Sequence, residues 1–551
     1  MKIFDLVWSK DNFSPCIVDL FARLPQDEEV LIRFEKGIYN FWAEGAFHSD
    51  RSVSALHAEL RTFVFLLENK RDITIDGCGS EFIFHDRLSP FALFDCRNIK
   101  LCNLTIDFSF SRYCQGDVLS SDESGFELKI DETLFKTDVD LTGQVIFYSG
   151  NQPFSTADKV VLLGNAIFGK PPWDYIFSGD TQTSKENLPT GYIETDAMKT
   201  ATGIRFNYRP HSRKLLFELG DTLIFCYEPR NNVNILSQGC KDILLENVAM
   251  YRGGGMGVII SDTENFSANR CTIQVRPGRN ECRSTTADGF FFTQCTGRVV
   301  IQDSTIKNTL DDALNIHGLY TKVVAVEDMN KIKAKLIFQY ESIIPFRKGD
   351  QITISDRNTH NRKYTGKLLE CTVLPEGAFL LCLDNPVAAV QPGDQIENDS
   401  RSCDFIFRNN HVFQCPHVRI SDNGLREVTG NHFEEIAGVL ISDLYEYWLE
   451  TGTVDNLKLE NNTFTHCPRS GEKRAITIES TRKSETDVRH QNISIRNNRF
   501  IECNGCVIDV SCSDDLIISD NIFTCGELSN IIRISNCRNV RNENNAIAES
   551  K

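Results

Sequence analysis

In the C-terminal third of the chain, apolar residues alternate over short runs, each ending in a polar pair and an aromatic residue. The unit reads Cys403-Asp-Phe-Ile-Phe-Arg-Asn-Asn-His-Val-Phe413, then Asn456-Leu-Lys-Leu-Glu-Asn-Asn-Thr-Phe464, Asn492-Ile-Ser-Ile-Arg-Asn-Asn-Arg-Phe500 and Asp515-Leu-Ile-Ile-Ser-Asp-Asn-Ile-Phe523. Alternation of period two predicts a short strand, the polar pair a tight corner, and the residues after it a second strand. Asparagine suits such a corner because it tolerates left-handed backbone angles and can bond to the asparagine of the next turn. Cys415, Cys467, Cys503 and Cys525 follow each phenylalanine at a near-constant interval, which predicts an interior column. The same grammar recurs upstream at Arg71–Gly77, Cys96–Ile106, Cys240–Val248 and Gly297–Ile306. A period of roughly 20 to 35 residues is that of a solenoid. With three short strands per coil and no 3.6-residue period, the pattern predicts an all-β, right-handed parallel β-helix and excludes helical repeats.

Two stretches break the grammar, 114–228 and 320–400, both strand-rich with Gly-Asp corners at Gly220-Asp221, Gly349-Asp350 and Gly393-Asp394. Each is expected to be a small antiparallel β-barrel inserted between coils. The chain then divides into N-terminal coils (1–113), a first insertion (114–228), central coils (229–319), a second insertion (320–400) and C-terminal coils (401–551). Insertions in solenoids gather on one face, often the binding face, so the two are candidates for the walls of a cleft.

Composition narrows the function classes. Among 551 residues, 41% are apolar and 25% charged, far from the balance of a disordered chain. The net charge of −17 and the absence of a long basic run argue against nucleic acid and against polyanionic polysaccharides. No apolar run reaches membrane-spanning length, and charges at Lys2, Asp5, Lys10 and Asp11 interrupt the start, so a cytoplasmic protein with no membrane partner is expected. The 20 cysteines are accordingly expected as reduced thiols. The Cys503/Cys506 pair has no second pair at zinc-ligand spacing and reads as small core residues.

The densest polar chemistry lies between the insertions, in Arg276-Pro-Gly-Arg-Asn-Glu-Cys-Arg-Ser-Thr-Thr-Ala-Asp288 and Leu310-Asp311-Asp312-Ala-Leu-Asn315-Ile-His317-Gly318. Asp288 precedes Asp311 and Asp312 by 23 and 24 residues, one coil of the repeat. Coils stack about 4.8 Å apart, so three carboxylates can gather there. Glycoside hydrolysis needs such a group: an acid to protonate the leaving oxygen and a carboxylate to activate water or attack the sugar. Crowding of like charges raises at least one pKa and keeps a proton available near neutrality. An Asp-Asp pair that only closes a turn is the plain alternative. Asn315 and His317 can hold sugar hydroxyls, with Arg276, Arg279 and Arg283 nearby in sequence. The run Gly253-Gly-Gly-Met-Gly257 lies inside the repeat with no helix after it and does not read as a phosphate loop.

Taken together, Gly255-Met-Gly257, Arg276-Pro-Gly278, Ser284-Thr-Thr-Ala-Asp288, Leu310–Gly318 and Tyr447-Trp448-Leu-Glu450-Thr-Gly452, with the opening Phe34–Tyr39, resemble the α-1,3-galactosidases of glycoside hydrolase family 110 over most of the chain. The resemblance implies a pectin-lyase-like solenoid and an inverting, metal-independent enzyme that needs no cofactor. Its substrate would be terminal α-linked galactose on branched blood-group B or linear oligosaccharides. It implies Asp288, Asp311 and Asp312 as catalytic, with Asp288 assigned as acid and the pair as water-activating. Arg276, Asn315, His317, Trp448 and Glu450 are the expected sugar contacts, Trp448 and Tyr447 by stacking and Glu450 by accepting from hydroxyls. Homo-oligomerisation is compatible with this reading. The sequence departs from the family pattern at Phe290-Phe291-Phe292, where a histidine is expected, which bears on the linkage accepted. Rival readings are a polygalacturonase-type hydrolase, disfavoured by missing Asn-Thr-Asp and Arg-Ile-Lys motifs, a still weaker polysaccharide lyase, and a non-catalytic carbohydrate-binding β-helix.

Overall fold

The structure, a computed structural model, describes residues 1–51, 53, 60–154, 159–163, 175–176, 195–212, 214–226, 232–336, 343–443, 450–468, 474–480, 488–503, 505–524 and 528–548. Each regular coil contributes three parallel strands. One coil supplies Asn456–Glu460, Thr463–Thr465 and Ile476–Glu479, and the next places Ile493 on Leu457, Phe500 on Phe464 and Ile508 on Ile476. Repetition builds three stacks of strands, here the first, second and third sheets. The first two merge into one 22-stranded sheet because Arg71–Phe84, Arg97–Phe108 and Lys241–Met250 run through the corner between them. The fold is a parallel β-helix.

The corner between first and second sheets shows why the Asn-Asn pair recurs. Its first residue is left-handed: Asn409, Asn461 and Asn497 have φ of 55°, 58° and 54°, and glycine takes the place at Gly430. Its second residue points inward and forms a ladder. Asn410, Asn431, Asn462, Asn498 and Asn521 each donate from Nδ2 to the Oδ1 of the next asparagine at 2.9–3.1 Å, ending on Asn545. Each amide also donates to a backbone carbonyl, as Asn462 does to Val428 O at 2.9 Å. Buried polar groups are thereby satisfied at every coil.

Beside the ladder, Phe433, Phe464, Phe500 and Phe523 stack with ring centroids 4.8–4.9 Å apart, all fully buried. Each such ring contributes about 1.5–3 kcal/mol of burial free energy. Cys415, Cys467 and Cys503 are buried in the same interior, their thiols near carbonyls of the preceding coil. Cys525 lies outside the described residues, and Cys506 is only half-buried. The described cysteines are free thiols.

The helix Ser14–Ala22 has no counterpart in the sequence reading. Pro15 sits in its first turn and Asn12 Oδ1 accepts from Ser14 N at 3.0 Å, so the start is fixed although the helix is short. It covers the N-terminal end of the core with Ile17, Leu20 and Phe21. No described helix is long and apolar enough to cross a membrane.

The insertions differ from each other. The second is a closed antiparallel barrel of six strands, Thr321–Asp328, Lys331–Lys335, Gln351–Ser355, Arg362–Leu374, Ala378–Leu383 and Gln395–Asn398. Its apolar interior is continuous with Ala92, Leu236, Ile259 and Phe291 on the outer face of the third sheet. The first is a seven-stranded antiparallel sheet with a separate three-stranded one. Where a barrel is expected, this sheet is open among the described residues, because its edge strands Tyr175–Ile176 and Thr195–Lys199 do not pair. Its core, with Cys114, Leu223 and Ile224, includes Leu310.

Candidate active site

The segments leading into the third sheet carry the acids. Phe290 pairs with Leu314, and just upstream Gly289 N donates to Asp312 O at 2.9 Å, so Asp288 and Asp312 lie on adjacent coils near their mutual register. Thr285 bridges both Gly253 and Thr309, tying three coils together immediately before the acids. One carboxylate oxygen from each of Asp288, Asp311 and Asp312 lies within 4.8 Å of the others. Asp288 and Asp312 are buried and Asp311 is half-buried, so the cluster opens to solvent on the Asp311 side. Three carboxylate oxygens this close set like charges against one another and suit a hard divalent cation.

The insertions flank this cluster. Leu310, next to Asp311, is buried against the first insertion, and the hydroxyl of Tyr113, the residue just before that insertion, accepts from Cys282 N and Arg283 N at 3.0 and 2.8 Å. Phe291 and Leu319 are buried against the barrel of the second insertion. Phe291 meets the His317 ring edge-on at 5.0 Å, so this aromatic residue packs under the barrel and braces His317.

A second polar group sits beside the acids. Glu450 belongs to the short strand Glu450–Thr451, which pairs antiparallel with Gly318–Leu319. Its carboxylate accepts from Arg419 Nη1 at 2.9 Å and Asn315 Nδ2 at 3.3 Å, and lies 3.7 Å from His317 Nε2. Burial alone would raise the Glu450 carboxyl, but the neighbouring His317 and Arg419 outweigh it and hold it below its ordinary value. Burial pushes His317 below the ordinary imidazole value, so at neutral pH Arg419 is the charge that balances Glu450. Burial works against the Arg419 charge, and Glu450, Asp312 and Asp311 more than restore it. Arg419 is the cation in the field of both groups.

Asp288, Asp311 and Asp312 thus come together, with Asn315, His317 and Glu450 as a second cluster. Arg276 has partners of its own. Its guanidinium pairs with Asp107 and Glu81, both at 2.8 Å, and lies over the Tyr251 ring, with Arg279 joining Asp107 at 2.9 Å. These arginines tie neighbouring coils together. Trp448 and Tyr447 lie outside the described residues. Two residues absent from the sequence reading, His417 and Arg419, come from the strand His417–Ile420 on the coil beyond the barrel. His417 Nδ1 is 3.1 Å from Asp312 Oδ1 although 105 residues separate them. Continuing the coil register across the insertion would have found both.

No family model matches the chain. It is 27% identical to alpha-1,3-galactosidase B of Bacteroides thetaiotaomicron, over 89% of this chain and 80% of that protein. It is 25% identical to alpha-1,3-galactosidase A of Shewanella woodyi (94% and 84% of the two chains) and to alpha-1,3-galactosidase A of Bacteroides thetaiotaomicron (94% and 91%). Among solved structures, the family 28 exopolygalacturonase of Yersinia enterocolitica aligns with 100% of this chain and 77% of its own at 10% identity and a TM-score of 0.37. The exopolygalacturonase of Thermotoga maritima aligns with 99% of this chain and 90% of its own at 9% identity and a TM-score of 0.39.

Proposed function

We propose that this chain is a glycoside hydrolase that removes terminal α-1,3-linked galactose from oligosaccharides, the activity for which its full-length relatives are named. The observation that carries the reading is the trio Asp288, Asp311 and Asp312, with oxygens within 4.8 Å of one another between two insertions. Asp288, the most buried of the three, acts as the acid: it gives its proton to the glycosidic oxygen as the bond to the anomeric carbon breaks. Asp311 and Asp312 hold a water and take its proton as its oxygen attacks that carbon from the opposite face, inverting the centre. Asn315, His317 and Glu450 bind galactose hydroxyls, and Arg419 rather than Arg276 supplies the cationic contact beside them.

A second stereochemical course rests on the same spacing. Inverting pairs commonly stand about 6.5–9.5 Å apart and retaining pairs about 5–5.5 Å. Nearest oxygens within 4.8 Å fall on the retaining side. Inversion from so tight a trio requires the water to be held jointly by the Asp311–Asp312 pair rather than lodged between distant groups. Retention would instead have one aspartate attack the anomeric carbon and form a glycosyl ester. Time-resolved proton NMR of galactose released from an α-1,3-linked galactobiose decides the matter. β-Galactose appearing first supports inversion, α-galactose first supports the covalent route, and no galactose at all overturns the galactosidase reading.

A further inference from the structure

On the outer face of the second sheet, away from the residues used above, His411 and His432 are register partners on the adjacent strands His411–Phe413 and His432–Glu434. Their imidazoles are parallel, with ring centroids 4.8 Å apart. Glu434 lies on the same face, its Oε2 2.9 Å from His411 Nε2. One donor atom of each of the three lies within 4.8 Å of the others, and all three residues are half-buried. We propose that His411, His432 and Glu434 form a binding site for one divalent cation of the zinc class.

Two imidazoles and one carboxylate are a donor set that zinc takes, with water in the open fourth position. Metal–ligand bonds of about 2.0–2.2 Å need donors about 3.3 Å apart. The His411–Glu434 pair already stands at 2.9 Å. The wider separations close by rotation of the His432 ring, whose Nε2 now lies 3.1 Å from the Thr465 hydroxyl. The backbone need not move, since in-register strands already hold the two Cβ atoms at coil spacing. The same column carries Thr305 before the site and Thr463 and Arg499 after it, so the donor set is confined to two coils. Those are the first two coils after the chain returns from the barrel, where a cross-coil staple fixes re-entry into the helix. Nitrogen donors select this site for zinc-like ions, whereas calcium or magnesium would go to the all-oxygen aspartate trio.

The test uses the full chain, stripped of metal by a chelator and titrated with Co²⁺ alone. One equivalent is expected to bind with visible ligand-field bands and no thiolate-to-metal charge-transfer band, which excludes the many cysteines. Loss of one donor costs at least the tenfold or so typical of an outer-shell change, so His411→Ala and His432→Ala weaken binding by more than about tenfold. Asp311→Asn leaves that spectrum unchanged. In a separate readout, Zn²⁺ raises the Tm of the parent chain but not that of His432→Ala. Absence of a stoichiometric Co²⁺ spectrum, thiolate bands, or a spectrum retained in both histidine variants overturns the site. Galactoside turnover does not enter this test, so the proposal stands or falls apart from the enzymatic reading.

Discussion

Two corners of the same solenoid stack polar side chains at coil spacing and reach opposite energetic results. At the first corner, Asn410 to Asn545 each present a donor and an acceptor, and every amide finds its neighbour at 2.9–3.1 Å. At the corner before the third sheet, Asp288, Asp311 and Asp312 bring only acceptors into the same kind of space, with oxygens within 4.8 Å. The amide ladder stabilises the coil. The carboxylate cluster opposes it until a proton, a cation such as Arg419 or a substrate intervenes. Repeat spacing concentrates side chains; their chemistry decides whether the concentration is structural or reactive.

Exchanging the two chemistries is the strongest way to break this contrast. Asp312→Asn gives the acid corner a donor. We expect turnover of an α-1,3-galactobiose to fall by about 10³-fold or more, within the range for loss of a general acid or base. The same substitution relieves crowded charge, so the Tm is expected to rise. An active variant would remove Asp312 from catalysis, and a lowered Tm would show that the crowding is already relieved.

The reverse exchange acts on stability. Asn462 bonds Val428 O and Asn498, and accepts from both the backbone and side-chain amides of Asn431. Asn462→Ala orphans several buried groups and should cost about 3–4 kcal/mol by denaturant titration, with activity per folded molecule unchanged. Asn462→Asp should cost more at pH 7 than at pH 4, because it turns one rung of the ladder into an acceptor-only site. Equal costs at the two pH values would mean that the rung tolerates charge.

The contrast also separates what the sequence made legible from what it did not. The ladder and the aromatic column were legible because they are in phase with the repeat, as Asn498 and Phe500 are with Asn462 and Phe464. The grouping of Asp288 with Asp312 was legible for the same reason, as no insertion falls between them. Between Asp312 and His417 the whole barrel intervenes, and a spacing of 105 residues carries no periodic signal. Arg276 shows the limit of nearness in sequence. It is near the acids in sequence, but its long side chain turns to Asp107 and Glu81 on earlier coils. The helix Ser14–Ala22 is too short to give a period and follows from end-capping, not from the repeat.

Glu450 sharpens the comparison at intermediate effect, since it is an acid whose charge is matched as fully as a ladder amide is bonded. Glu450→Gln keeps the shape but removes the charge that Arg419 pairs with at 2.9 Å. KM is expected to rise by about 10- to 100-fold, the cost of one charge-assisted contact, with a smaller change in kcat. A fall confined to kcat would instead put Glu450 among the groups that act on the anomeric carbon.

The smallest expected effect concerns an acid that belongs to neither corner, with the carboxylates of Glu397 and Asp399 also acting on it. Asp422 is buried one coil beyond Gly318, with Arg426 at 3.4 Å. Burial nevertheless prevails over that arginine and raises its carboxyl from 3.8 to about 7. Between those values the folded chain keeps a proton that the unfolded chain has released, so this group's contribution makes stability fall as pH rises from about 4 to about 7 and then level off. Asp422→Asn removes that slope, and the gap in Tm between variant and parent should widen in favour of the variant from pH 4.5 to pH 7.5. A gap that stays constant would mean that Arg426 keeps Asp422 ionised throughout. Charge pairing, and not proton retention, would then be how this fold accommodates an acid outside both corners.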